Sequence, residues 1–315
     1  SSNKYEYMFP NITYGKNFFL EKFGFLDFKT NIFHRNYEGN KYTTFLNNDL
    51  LWSPGSFITG KGFLNTIEGM VKNVNYEAKN TPDLKTSGTI NELSSVISFK
   101  SSLPMEKSRD DFSKTFSPTF MVRYAPGQMK SLRDKDLFLN YSNLYALNKT
   151  SEIESGLSTI LGFDYKLNKK ESDGSQREKF GVSMGQVFNQ RKNKDLPLSS
   201  SLDQKVSDLV GQINYNFSEI GNIGYSFAVD NNYSDLNYNE ISTGLDFGKI
   251  SFNLNYLEQR SHIGNENYVN SGISLAVNEN NKLGFSTKKN FKTDSTEFYN
   301  INYQYEIDCL TAGLE

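Results

Sequence analysis

Between Ile223 and Ile307 the sequence changes character at every second residue. Ile223, Tyr225, Phe227 and Val229 alternate with Gly224, Ser226, Ala228 and Asp230. Ile241, Thr243, Leu245 and Phe247 alternate with Ser242, Gly244 and Asp246, and Ile250, Phe252, Leu254 and Tyr256 with Ser251, Asn253 and Asn255. Val269, Ile273, Leu275 and Val277 repeat the pattern with Ser271 as its weak member, and Leu283 and Phe285 follow. Tyr299, Ile301, Tyr303, Tyr305 and Ile307 close it, against Asn300, Asn302, Gln304, Glu306 and Asp308. Successive side chains of a strand point to opposite faces, so each segment has one apolar and one polar wall.

The connections carry a second rhythm. Short polar turns are expected near Ser218–Asn222, Gly248–Lys249 and Asn278–Lys282, and longer loops near Asn231–Asp235, Glu258–Asn267 and Lys289–Thr296. In an antiparallel meander, alternate connections lie at opposite ends of the sheet. Short turns at one rim and long loops at the other describe an outer-membrane barrel. Earlier strands are expected at 7–14, 21–34, 41–52, 64–79, 89–103, 116–125, 137–148, 154–168, 179–190 and 204–217, with Asp173-Gly174 as a turn pair. With the start of another strand at residue 309, the count is about 16–17. No linker or shift in composition divides the chain, so residues 1–315 are expected to form part of one barrel domain.

Composition agrees. Only 37% of the 315 residues are hydrophobic, yet there are 25 Phe, 19 Tyr and 37 Asn. Disordered chains are poor in aromatics. A polar wall of Asn, Gln, Asp and Glu in a dry core would need a partner for every group, whereas a wall facing a water-filled lumen needs none. A large soluble antiparallel protein, a sandwich or propeller, is the alternative fold. The formal charge of -2 excludes a strongly basic nucleic-acid footprint. No apolar run is long enough for a transmembrane helix. The chain starts at Ser1 without Met or a leader pattern, and a strand-like pattern stops at Glu315, so a fragment incomplete at both ends is expected.

Residues with chemical potential are few. His34 and His262 are far apart, and with Cys309 they have no metal-ligand spacing. Ser261 neighbours His262, but sequence neighbours do not make a nucleophile and base. Asp230, Asn232 and Asp235 lack the glycine and terminal Glu of an EF-hand loop; they could bind calcium weakly, although a solvated loop is the plainer reading. Lys288, Lys289 and Lys292 form a basic tip that could meet surface phosphates, although a solvated loop is the plainer reading. No phosphate-binding glycine loop or dinucleotide fingerprint is present. Catalytic, cofactor and metal residues are therefore not assigned, and no enzymatic activity is expected.

Several motifs, in order, resemble the C-terminal barrel domain of the LptD (OstA) family of lipopolysaccharide-assembly proteins. Ser102-Leu-Pro104 and the segment Phe116–Gln128 are similar to a family region rich in Pro, Tyr and Arg, matching at Pro104, Pro118, Arg123 or Tyr124, Pro126 and Gln128. They depart from it at Phe116, Ser117 and Gly127. Asn148–Gly162, Gly185-Gln186, Leu196-Pro197, Ser207–Gly211 and Tyr303–Cys309 continue the order. Residues 1–101 match in character alone.

The resemblance implies a protein that inserts lipopolysaccharide into the outer leaflet of the outer membrane of a Gram-negative bacterium. It implies an LptE-like lipoprotein plug, an LptA-like periplasmic bridge and outer-membrane lipid as partners, with ATP hydrolysed elsewhere and no cofactor here. It also implies a periplasmic domain and first strands before Ser1 and closing strands after Glu315, so no gate residue can be named. The resemblance further implies that Cys309 pairs with a cysteine outside this segment; on the residues alone it reads as a small buried or incidental thiol. A general or ligand-gated porin is the rival reading, and a surface adhesin or soluble binding module a third. Substrate-binding residues are not assigned.

Overall fold

The computed structural model describes residues 6–37, 39–81, 84, 88–109, 111–150, 152–171, 174–217, 219–307 and 310–314. Eighteen strands belong to one sheet whose described pairings are antiparallel. They are β1 (Tyr7–Leu20), β2 (Gly24–Tyr37), β3 (Lys41–Ser53), β4 (Ser56–Ile58), β5 (Leu64–Lys79), β6 (Ile90–Ser102), β7 (Met105–Ser108), β8 (Phe112–Ala125) and β9 (Gly156–Lys170). The series continues with β10 (Gln176–Asn189), β11 (Leu209–Asn216), β12 (Gly221–Val229), β13 (Leu236–Asp246), β14 (Ile250–Gln259), β15 (Asn267–Asn278), β16 (Asn281–Asn290), β17 (Ser295–Ile307) and β18 (Leu310–Leu314). Among the described residues the helical elements are two 3₁₀ turns, Tyr141–Asn143 and Leu198–Ser200, and no helix is long and apolar enough to cross a membrane.

The expected 16–17 strands become 18 through three changes. The segment 137–148 is not a strand. Asn140 accepts a hydrogen bond from the Asn143 amide at 3.1 Å while the Asn143 side chain accepts one from the Asn140 amide at 2.9 Å. This reciprocal cap gives the backbone a local alternative to a ladder. Two short strands that sequence periodicity cannot register, β4 and β7, pair with β5 and β8. Most other boundaries agree within a few residues, but β1 runs six residues beyond the expected end at 14, and β11 starts at Leu209 instead of 204. Asp173 of the expected turn pair lies outside the described residues, while Gly174 takes a φ of 83°.

Contacts divide the chain into two units. Unit 1 holds residues 1–102, 121–130 and 146–159; unit 2 holds 103–120, 131–145 and 160–315.

In unit 1, β1, β2, β3, β5 and β6 form a meander, and directly paired residues share a face. One face carries apolar rows such as Leu26–Trp52–Gly69–Ile97 and Phe28–Leu50–Val71. The other carries the row Lys29–Asp49–Lys72–Ser94 and a line of stacked rings, Phe33–Phe45–Tyr76, with centroids 5.1 and 5.4 Å apart. The apolar face is interrupted by a hydrogen-bonded polar line. Thr30 donates to Asn48 at 2.8 Å, Asn48 to Asn73 at 3.3 Å, and Asn73 to Asn91 at 3.3 Å. These polar groups satisfy one another, the requirement for a polar group on such a face.

In unit 2, β10 to β18 pair in sequence. The row Leu245–Phe252–Ile273–Phe285–Ile301 runs along the apolar face, and Asn222–Gly244–Asn253–Gly272–Ser286–Asn300 runs beside it on the polar one. The expected split of β17 therefore holds: Ile301 and Tyr303 align with Phe285 and Leu283, and Asn300 and Asn302 with Ser286 and Gly284. Glycine is needed in these polar rows because an Asn from the next strand lies across it. A Cβ on Gly272 would stand 2.6 Å from Asn253 Oδ1, and one on Gly284 would meet Asn302 Oδ1. The expected sorting of connections also appears: turns 217–220, 247–249 and 279–280 at one end, loops 230–235, 260–266 and 291–294 at the other. The third loop is shorter than expected because β16 extends to Asn290.

Candidate functional site

Each unit has a segment of non-strand chain laid against its polar face, and the chemistry gathers there. In unit 1 this segment follows Ala146. Leu147 and Ile153 pack with Val96, Ala125, Leu51 and Met70. Burying side chains of this size is worth about 1.5–3 kcal/mol each. Arg123, 3% exposed, is the clasp. It donates to the carbonyls of Leu147 and of Glu154, the latter at 2.8 Å, and pairs with the Glu154 carboxylate at 2.8 Å. Glu154 in turn accepts from the backbone amides of Lys149 and Thr150. Of the two residues that the family motif left open, Arg123 is thus the structural one, while Tyr124 is exposed. Sequence reading did not single out Glu154, because a carboxylate 31 residues away carries no local signal.

Beside the clasp, still within unit 1, the polar face forms a cavity of about 450 Å³ lined by Lys29, Asn31, Asn47, Asp49, Lys72 and the rings of Phe33 and Phe45, among others. Lys130 and Glu152 reach it from the non-strand chain. Lys130 pairs with Glu92 at 2.6 Å and stands 4.9 Å over the Tyr76 ring; Lys72 lies 4.0 Å from Glu152.

In unit 2 the segment 131–145 is tied to the loop after β10. Ser199 Oγ donates to the Leu137 carbonyl at 2.7 Å, and Leu132 N–H donates to the Asp195 carbonyl at 2.6 Å. Leu144, fully buried, and Tyr145 rest on glycines of the wall. A Cβ on Gly185 would stand 2.5 Å from Leu144 Cδ2, and one on Gly162 would stand 2.9 Å from the Gly185 Cα and also meet the Tyr145 hydroxyl. The motif residues of the sequence reading thus act as seats and pins. Gln186 donates to the Ser207 carbonyl at 2.7 Å and accepts from Tyr233 at 2.9 Å; Ser207 Oγ accepts from Val187 N–H at 3.0 Å. Asp208, nearly fully buried, accepts from Asn237 at 3.0 Å and pairs with His262 at 3.0 Å.

The remaining candidates are structural. The Asp208 carboxylate, which accepts from the imidazole, holds the His262 pKa above its ordinary value, against the opposing effect of burial, with Asp203 and Asp230 adding attraction. Ser261 lines the same cavity as His262, of about 370 Å³, but no serine hydroxyl bonds to His262 among the described residues. His34 bonds through Nδ1 to Thr44 at 2.8 Å. Asp230 accepts from the amides of Ser234 and Asp235 at 2.7 and 3.2 Å, which makes its loop a self-capped turn. Lys288 pairs with Glu297 at 2.8 Å, Lys289 with Asp294 at 3.0 Å, and Lys292 bonds to Asn265. Lys288 and Lys289 lie on β16 and are ion-paired, so they do not form an open tip. No grouping of three metal-ligating side chains is found among the described residues. Cys309 lies outside the described residues.

Variants of the Rhodopseudomonas blastica porin align with 84% of this chain and 91% of their own, at 8–9% identity and TM-scores of 0.28 and 0.32. An engineered protein described under asymmetric conductivity aligns over the same shares at 8% identity and a TM-score of 0.31. Likeness at that level is too slight to carry an argument about substrate or mechanism. No curated protein matches the chain. The family described as "LptD: LPS transport system D" matches residues 19–305. That family consists of transport proteins of the outer membrane rather than enzymes, and its members handle lipopolysaccharide together with the Lpt complex. With nine-tenths of its length inside the match and an all-β antiparallel sheet throughout, the chain belongs to the LptD family, as a multi-strand outer-membrane β-barrel protein.

Proposed function

We propose that this chain forms the membrane-embedded part of a translocon that inserts lipopolysaccharide into the outer leaflet of the outer membrane. The observation that carries the reading is the two-faced sheet of a chain in this family. A face of Leu, Phe, Ile and Tyr suits acyl chains, and a face of Asn, Ser and Gly suits a hydrated saccharide. The polar faces line the lumen and the apolar faces meet lipid. Residues 1–315 contribute to one barrel domain. An LptE-like lipoprotein occupies the lumen, and an LptA-like bridge delivers substrate from the periplasm. Depletion of the full-length protein should remove newly made lipopolysaccharide from the cell surface, and lipoprotein and lipopolysaccharide should co-purify with it. Normal surface lipopolysaccharide after depletion, with purified protein conducting small solutes instead, would favour the porin reading.

Cys309 belongs to the same proposal. After the loop 291–294, at the end of the sheet that carries the longer connections, β17 runs towards the periplasmic rim, where thiols meet an oxidising compartment. Cys309 pairs there with a cysteine of the periplasmic domain, an arrangement worth a few kcal/mol on the chain-entropy account. On non-reducing gels the full-length protein and its Cys309→Ser variant should differ in mobility. Identical mobility with a free thiol in the wild type would refute the pairing.

A further inference from the structure

We propose that the unit 1 cavity is a subsite for an acidic sugar, one bearing phosphate or carboxylate, within the polysaccharide part of lipopolysaccharide. This rests on the proposed function and adds to it a place and a chemistry. The polar row Asn222–Gly244–Asn253–Gly272–Ser286–Asn300 of unit 2 is uncharged, whereas here Lys29, Asp49 and Lys72 stand directly opposite one another on three adjacent strands. Charge on a wall that needs only wetness has a further use.

Hydrogen-bonding capacity is left unspent in the cavity. Buried polar atoms are normally paired. Asp49 Oδ1 is buried and has no hydrogen-bond partner among the described residues. Asn47 and Lys29 likewise have no recorded side-chain bond or ion pair among the described residues, and all three line the cavity. An amide, an ammonium and a carboxylate oxygen together match a vicinal pair of sugar hydroxyls beside an acidic substituent. The floor of the cavity is aromatic. Phe45, stacked on Phe33, offers an apolar surface to the C–H side of a pyranose, next to the polar groups that would orient it. The sign of the ligand follows from Lys29. The other ammoniums at the cavity have carboxylates within 4.0 Å, and Lys29 has none among the described residues. A charge-assisted bond to an anionic group completes it.

The test uses the full chain folded in detergent, with three probes titrated calorimetrically. They are lipid-free polysaccharide released from lipopolysaccharide by mild acid, the same material stripped of phosphate, and a uronic-acid polysaccharide. The released polysaccharide should bind saturably. Removing its phosphate should cost about tenfold in affinity, the size of one charge-assisted hydrogen bond. Retention of binding by the uronic-acid probe would identify carboxylate as the group recognised, and its loss would identify phosphate. Lys29→Gln should weaken the acidic probe to the level of the stripped one, Asn47→Leu should weaken both, and Lys282→Gln on the unit 2 wall should change neither. Unchanged binding in Lys29→Gln and Asn47→Leu, in protein that keeps its heat-modifiable gel mobility, overturns the subsite, as does equal affinity for phosphorylated and stripped polysaccharide together with no binding of the uronic-acid probe. Failure of lipopolysaccharide delivery in cells, with probe binding intact, would instead remove the proposed function and leave the subsite standing.

Discussion

Unit 1 and unit 2 build the same kind of sheet from different means. The five long strands of unit 1 run 13–16 residues, while β11 to β17 of unit 2 run 8–13. A tilted strand needs about 9–11 residues to cross the hydrocarbon. β11 to β17 are therefore cut close to membrane length, while β10 runs to 14 residues and the five long strands of unit 1 carry a surplus of about four residues each, or about 13 Å at the usual rise. The polar faces differ as well. Unit 2 interlocks Asn with Gly in its central polar rows, and charges beside them such as Lys282 and Glu306 are ion-paired, whereas unit 1 lays down Lys, Asp and Lys in line. An amide-and-glycine wall offers a solute no preferred place to stop; a charged row with unpaired valence does.

The sharpest way to break this contrast is at the clasp. Arg123→Ala leaves Glu154 buried without its cation, and removing one partner of a buried pair costs about 3–5 kcal/mol. Denaturant unfolding of the folded protein in detergent should show that loss, with faster proteolysis of residues 146–155. Replacing both partners by apolar residues should recover most of it. If Arg123→Ala alone is neutral, the clasp does not hold the segment.

A smaller effect is expected at the seats of unit 2. Gly162→Ala places a methyl group against backbone and should cost about 1–3 kcal/mol by overpacking. Gly60→Ala in unit 1 has nothing within 4 Å and should stay within about 0.5 kcal/mol. Equal effects at the two positions would mean that the inserted segment does not bear on the wall.

The facing of β17 can be read by single cysteines and a membrane-impermeant reagent. Asn300→Cys and Asn302→Cys should label, and Tyr299→Cys and Ile301→Cys should be protected. A slip of one residue would reverse all four results.

The mildest expected effect is pH dependence at His262. Its folded pKa is raised by Asp208, so the stabilisation is fully present below the unfolded value of about 6.5 and is lost as pH rises through the folded value. Protease sensitivity of the loop 260–266 should therefore rise on the alkaline side in wild type and stay flat in His262→Gln.

Much of unit 2 was legible because each strand from β12 to β17 keeps a strict two-residue period and short turns fix the register. Unit 1 was less so. Thr30, Asn48 and Asn73 occupy apolar-face positions, so their strands look irregular until the cross-strand bonds are seen. Residues 137–148 misled for the opposite reason: Leu137 and Leu139 alternate correctly, but the Asn140–Asn143 cap ends the extended backbone. The charged subsite was out of reach, since Lys29, Asp49 and Lys72 meet only through the ladders. The motif positions Gly162, Gly185 and Gln186 were found in sequence, yet their reason, a loop seated on the wall, is a fact of packing.

The meander also bears on how such a sheet comes into being. The described ladders join strands that are neighbours along the chain or separated only by a short strand, and Arg123 meets Glu154 across 31 residues. Closing short loops carries a small entropic cost, and low contact order speeds assembly. Hairpins can therefore zip one onto the next in the order in which the chain is delivered to its insertion machinery. The clasp can set before the later hairpins arrive, so a defect at Arg123 should appear early, as stalled assembly intermediates rather than as a finished protein that works poorly.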